Sequence, residues 1–248
     1  MIAKKLHKVT LKRSWDNTTT GRMGLVWAEQ SMRHFGFAGM VAQEYRHKAN
    51  REISAADKLL AGALSIIAGG ERLEDLEILR ADAGLARNVG IDRIASADAL
   101  REYLKIRSNN NRQVRINEAV VVKAMRQASE SELTYDNDDL HVDSAKDCAA
   151  LSYKGRYQMS CLLGYIAELG VAVTADYRPG NVSPATGVYQ QLQRAIRLAK
   201  KAKKRIRVFR CDSVGYRNSI MQLCDTEKIR YFIITILTIS RLSSFEVT

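Results

Sequence analysis

Hydrophobic periodicity divides the chain into a helical first half and a mixed second half. Ser54-Ala-Ala-Asp57 is an N-cap signature with an acid in the first turn, and Leu60, Ala63, Leu64 and Ile67 follow at helical spacing until Gly69-Gly70. A second helix is expected near Glu71, with Leu73, Leu76 and Leu79 on a stripe and Ile78 off it; a third follows Ser96 with Leu100, Tyr103 and Leu104. Residues 108–115, rich in asparagine, read as an exposed connection. Short helices separated by glycines suggest a DNA-binding module, and a plain bundle fits the same pattern.

The period changes near Glu132. Residues 133–138 read as a short strand ending in acids, and Gln158–Ile166 and Val171–Tyr177 read as two strands joined in a hairpin at Gly170. Ser183-Pro184 matches an N-cap followed by proline at the first helical position. The helix expected there aligns Val188, Leu192, Ala195 or Ile196, and Ala199 on one face. Arg194, Arg197, Lys201 and Lys204 lie on another. Arg205–Cys211 reads as a strand with Ile206 and Val208 pointing one way, Gly215 opens a helix through Leu223, and Ile229–Ile236 is a β-branched strand. The expected order is three strands, helix, strand, helix, strand, an α/β arrangement. It places a helical region at 1–130 and a sheet-based region at 131–248.

Composition narrows the function. The 248 residues carry 39 Lys plus Arg against 27 Asp plus Glu, a net charge of +12, which points to a polyanionic partner, with nucleic acid the commonest. Seven carboxylates and one lysine lie between Glu130 and Asp147, whereas residues 178–210 carry ten basic side chains and no acid. That sign separation favours phosphate contact by Arg194, Arg197, Lys201 and Lys204 over an ordinary solvated helix, which intersperses both signs. Cys148, Cys161, Cys211 and Cys224 form no C-x-x-C pair and read as reduced thiols. The N-terminus has no signal-peptide core, and Tyr231–Ile239 is too short to cross a bilayer. The expectation is a cytoplasmic, nucleoid-associated protein with no membrane partner. P-loop, G-x-S-x-G and G-x-G-x-x-G motifs are absent, and the four histidines have no metal-ligand spacing, with His141 reading as a surface side chain.

Divalent-cation chemistry has better support. Mg²⁺ takes hard oxygen ligands, usually one or two carboxylates plus substrate phosphates. Asp212, ending a hydrophobic strand, stands where ligands gather in open α/β sheets. Asp138 is its expected partner, with Asp136 and Asp139 as rivals; strand alternation puts Asp136 and Asp138 on one face and Asp139 on the other.

Four stretches together resemble a family: residues 68–82 (AGGERLEDLEILRAD), 152–158 (SYKGRYQ), 177–184 (YRPGNVSP) and Asp212-Ser-Val-Gly-Tyr216. From about Ser54 to Ile234 the chain resembles bacterial insertion-sequence transposases of the DDE superfamily, in the branch called DDE-domain group 1. The resemblance implies a helical N-terminal region that binds transposon ends and an RNase H-like mixed-sheet catalytic core. It also implies double-stranded DNA, both transposon ends and target, as partner, and two Mg²⁺ (or Mn²⁺) ions held by three acids. In that family the metals serve cleavage at the element's ends and then strand transfer into target DNA. The Asp-x-Asp strand maps to Asp136-Asn137-Asp138, with Asp138 preferred, and the second acid maps to Asp212. The family follows its Asp-x-Asp with Ala-Thr where this chain has Asp139-Leu140. No counterpart of the third acid is found after Glu227, where Glu246 is the only carboxylate. The expectation is therefore a C-terminally truncated transposase, inactive or partial as it stands, with exposed apolar surface and self-association. The alternative is a catalytically dead DNA-binding remnant that occupies transposon ends and represses intact copies.

Overall fold

The computed structural model describes residues 20–44, 53–89, 91, 93–107 and 111–234. The expectations placed on Glu246 and on strand residues past Ile234 lie outside that range. The chain divides into two compact units, Met1–Asn117 and Glu118–Thr248, and each is described by itself. The expected boundary at 130/131 falls between α7 and β1.

The first unit is helical: α1 (Met23–His34), α2 (Phe37–Glu44), α3 (Ala55–Ile67), α4 (Leu76–Arg80), α5 (Ala83–Asn88), α6 (Ala97–Arg107) and the start of α7 (Arg112–Gln127). Ser54 caps α3 as expected, its Oγ accepting from the Asp57 N–H at 3.0 Å, and Gly69 ends the turn at φ +90. The helix expected from Glu71 begins as a 3₁₀ turn, Leu73–Asp75, and becomes α4. Leu76 and Leu79 are buried while Ile78 is exposed. These leucines pack with Leu25, Val26, Leu60, Leu64, Leu85, Leu100 and Tyr103 in one core. The exposed connection expected over 108–115 is corrected from residue 112 onward, because α7 starts there. The asparagines suggested a loop, but Ile116 is buried in the first core and Val121 and Met125 in the second. Apolar burial overrides weak local propensity.

The second unit is an α/β sandwich of β1 (Glu132–Asp143), β2 (Ala150–Leu151), β3 (Tyr157–Ile166), β4 (Val171–Pro179), α8 (Val188–Lys201), β5 (Arg205–Cys211), α9 (Asn218–Glu227) and β6 (Arg230–Ile233). The sheet order is β3-β1-β5-β6, with β4 and the short β2 both on the outer side of β3. The β1–β3 and β3–β4 pairs are antiparallel, whereas β1–β5 and β5–β6 are parallel. That is the RNase H-like arrangement expected. Gly170 turns the β3–β4 hairpin at φ +65. Tyr135, Leu162, Ile166, Val173, Leu192, Leu198, Phe209, Ile220 and Cys224 form the core beneath the helices. The other sheet face presents Leu140, Val142, Tyr177 and Phe232, all exposed.

Several details differ from expectation. Gly215 does not open a helix: it ends the 3₁₀ turn Ser213–Gly215, and α9 starts at Asn218. β1 runs 12 residues rather than six, because antiparallel pairing to β3 extends it to Asp143. α8 starts at Val188 rather than at Pro184. Residues 183–186 form a turn closed by the Thr186 N–H to the Ser183 carbonyl at 2.9 Å, and Gly187, at φ +95, turns the chain into the helix. Ile206 and Val208 do not share a face. The register opposite Leu133 and Thr134 skips Arg207, so a bulge puts Ile206, Phe209 and Cys211 on the core side and Val208 on the other.

Candidate active site

The β1–β5 register decides which acids meet. The last registered parallel pair is Asn137 with Cys211. Asp138 and Asp212 are the next residues on these two strands, and both are exposed. Adjacent strands lie about 4.8 Å apart, and the chain leaves the β1–β5 ladder at Asp212 while β1 continues, paired to β3, through Asp138 to Asp143. The Asp138 Oδ1 accepts the backbone N–H of Asp139 at 2.8 Å. The Asp212 Oδ1 accepts the Val214 N–H at 3.1 Å, capping the 3₁₀ turn Ser213–Gly215.

The rivals are engaged elsewhere. Asp136 is on the same face as Asp138 but accepts two bonds from Arg210, both at 2.6 Å, in a bidentate pair. Its charge is neutralised by the residue paired with it across the parallel ladder. Asp139, on the core-side face, has a side chain only 5% exposed and lies 2.9 Å from the Arg178 guanidinium. His141 corrects the surface reading: its side chain is 3% exposed, with Nε2 3.4 Å from Asp139, and its ring stands edge-on to Tyr153 at 5.3 Å. Alternation alone explains the difference, since position 141 shares the inward face with Asn137 and Asp139. Beside Asp212, burial, with the Asp212 charge adding to it, pushes the Cys211 thiol up to about 12.

The basic helix is more committed than its sequence suggests. Arg194 pairs with Asp176 at 3.3 Å. Arg197 forms a two-pronged pair with Glu118, holding that carboxyl below its ordinary range. The Lys204 ammonium donates to the Ala128 and Glu130 carbonyls at 2.7 Å each. Lys201 is exposed at the end of α8. The stretch 178–210 contains no acid, but the fold supplies Glu118 from α7 and Asp176 from β4. A reading confined to one stretch of sequence could not see those partners.

Sequence reasoning also missed three supporting residues. Gln191 is fully buried on α8, Arg178 is half-buried and bonds Asp139 on β1, Ser160 on β3 and the Thr186 carbonyl before α8, and Arg210 covers Asp136. The available signals were Gln191 falling on the buried face of α8 and Arg210 ending β5 opposite an acid-rich strand.

A mixed sheet of this order, with β1, β5 and β6 parallel and β3 and β4 antiparallel, defines an RNase H-like core. The sequence pattern of the family described as transposase DDE domain group 1 matches residues 8–244, and the chain belongs to that family. No curated protein matches the chain. Among solved structures, the crystal structure of the Mos1 strand transfer complex is similar at 13% identity and a TM-score of 0.28, over 78% of this chain and 62% of that one. The Mos1 transposase paired-end complex with the left transposon end is similar at 14% identity and a TM-score of 0.28, over 75% and 60%. The chain thus spans about three fifths of the solved chains it matches.

The donor set can be tested against a divalent cation. Among the described residues no group of three or more His, Cys, Asp or Glu comes together. Two exposed carboxylates, Asp138 on β1 and Asp212 just after the neighbouring β5, fit a magnesium-type ion, which keeps several waters and takes further oxygens from substrate phosphates. Among the described residues no helix is long and apolar enough to cross a membrane.

Proposed function

We propose that this chain is a DNA transposase whose phosphodiester chemistry is centred on Asp138 and Asp212. One observation carries the reading: the β1–β5 pairing ends at Asn137 and Cys211, immediately before Asp138 and Asp212, while Asp136 is held by Arg210 and Asp139 is buried against Arg178. Family membership supplies the substrate class, double-stranded DNA at transposon ends and target. Asp138 and Asp212 would hold Mg²⁺ or Mn²⁺, which when bound supplies a more acidic attacking water or hydroxyl and charge stabilisation of the leaving oxygen. The chain's own part is to orient the two carboxylates, Asp138 through the Asp139 N–H and Asp212 through the Val214 N–H. Lys201 and the wider positive charge attract the duplex, an interaction that weakens with salt.

Incubating supercoiled plasmid with the purified chain and Mn²⁺, with EDTA and Asp212→Asn as controls, tests this. Nicking is expected with Mn²⁺ and not with EDTA, and Asp212→Asn should lower it by at least about a hundredfold, as loss of a principal charge-stabilising group does. Asparagine still accepts the Val214 N–H, so the turn survives the substitution. Salt-dependent DNA binding without nicking would replace this reading with the end-binding remnant. Tighter binding to RNA than to duplex DNA would overturn both.

A further inference from the structure

The two acids of Asp136-Asn137-Asp138 face the same way, so strand alternation does not choose between them. A slip of β1 by two residues keeps every side chain on its own face. Leu133 would then take the place of Tyr135, and Asp136 would take the place of Asp138. Such a slip is opposed less by facing than a one-residue slip, which turns every side chain to the other face. Polar contacts of β1 distinguish the two registers: Asp136 pairs with Arg210 and Asp139 with Arg178, and the most enclosed contact lies on the buried side of the strand.

Gln191 is 0% exposed, in the middle of an apolar core. Its Oε1 accepts from the Asn137 Nδ2 at 2.9 Å and from the Thr174 hydroxyl at 3.0 Å, with the Tyr135 hydroxyl at 3.3 Å. Its Nε2 donates to the Leu162 carbonyl and to the Asp176 carboxylate, each at 2.8 Å. One side chain of α8 is therefore bonded to β1, β3 and β4 at once. A buried amide is costly unless its partners are in place, and a buried polar contact can fix register where apolar contacts tolerate alternatives. In the slipped strand Tyr135 would arrive where Asn137 now donates, and Gln191 would lose that donor.

We infer that Gln191 is a positioning residue which, through Asn137, locks β1 in the register that sets Asp138 rather than Asp136 beside Asp212. This rests on the proposed reading of those acids for its functional meaning, but the register itself can be measured without metal or DNA.

Native Cys161 is the reporter, because it lies opposite Leu140 in the observed register. In the two-residue slip Asp138 would lie opposite it instead. Directly opposed antiparallel positions are the closest cross-strand pairs, about 5 Å between Cβ atoms. Leu140→Cys and Asp138→Cys are each made with Cys148→Ser, which removes the exposed native thiol. The proteins are oxidised with diamide, which takes two thiols to a disulfide and is itself reduced to the hydrazine. Disulfide to Cys161 is then quantified by peptide mass spectrometry. With Gln191 in place, the thiol at 140 should crosslink and the thiol at 138 should remain at background. With Gln191→Met, of similar size and no amide, crosslinking from position 138 should rise at least tenfold. Asn137→Ala removes the same bond from the strand side and should act alike, which covers the case in which Gln191→Met does not melt cooperatively. The reciprocal exchange, Asn137→Gln with Gln191→Asn, should return crosslinking from 138 towards background. Crosslinking from 138 that stays at background in folded Gln191→Met and Asn137→Ala overturns the inference. Failure of plasmid nicking with these crosslinks as expected overturns only the reading of the acids.

Discussion

Individual side chains in this protein are defined by which face of a strand they occupy. Asp136, Asp138 and Asp139 are consecutive or nearly so, yet one is ion-paired at the surface, one is exposed and one is buried against Arg178. The cysteines follow the same logic. Cys148 is exposed while Cys161, Cys211 and Cys224 are buried. Burial pushes the Cys224 thiol up to about 12 and raises that of Cys161. A thiol reacts as its thiolate, so at pH 7 a maleimide should modify Cys148 and leave the other three until the chain is unfolded. Mass spectrometry of labelled peptides checks this, and fast native labelling of Cys224 would contradict the packing. Asp136 and Asp138 were legible as sharing one strand face and Asp212 as following a strand, because alternation and the Asp-Ser-Val-Gly-Tyr motif are local; the continuation of β1 to Asp143 was not. Arg210 on Asp136 and Arg178 on Asp139 were not legible, because those pairings depend on strand order and register.

At the scale of elements, close approach between strands sets the tolerances. A Cβ added at Gly164 would stand 2.0 Å from the Tyr135 hydroxyl and 2.1 Å from the Thr174 hydroxyl, both fully or nearly fully buried. Gly164→Ala should therefore destabilise the second unit by about 1–3 kcal/mol, the usual cost of overpacking, read from the midpoint of denaturant unfolding; an unchanged midpoint would contradict the β1–β3 packing. The helix α8 gives a second prediction. Arg194, Arg197 and Lys204 hold partners within the fold, whereas Lys201 is exposed. Lys201→Ala should lower the slope of log affinity against log salt for duplex DNA by about one without moving the melting temperature. Arg197→Ala should lower the melting temperature as well. The Glu118 carboxyl is held low mainly by its bonds to Arg197. Its contribution is complete above the ordinary glutamate range and is lost as pH falls through the lowered value. Stability measured from pH 5 down to pH 2 should fall less steeply in Glu118→Gln. Most of these elements were legible from periodicity. α1, α2, α5 and the short β2 were not read from the sequence, and α7 and the true start of α8 were missed because long-range burial and a left-handed glycine decided them.

For the whole molecule, the sequence conveyed the strand and helix order of the sheet-based unit and the excess of positive charge, and the fold added the register in which the β1–β5 pairing ends at Asn137 and Cys211. The central claim is that Asp138 and Asp212, and not Asp136, form the cation site. A Mn²⁺ titration followed by electron paramagnetic resonance on four proteins tests it most directly: the native chain, Asp136→Asn, Asp138→Asn and Asp212→Asn. The account predicts that Asp138→Asn and Asp212→Asn each weaken binding at least about tenfold, the scale of one lost charge-assisted contact, while Asp136→Asn stays within about threefold of native. Loss of binding in Asp136→Asn with retention in Asp138→Asn would contradict it.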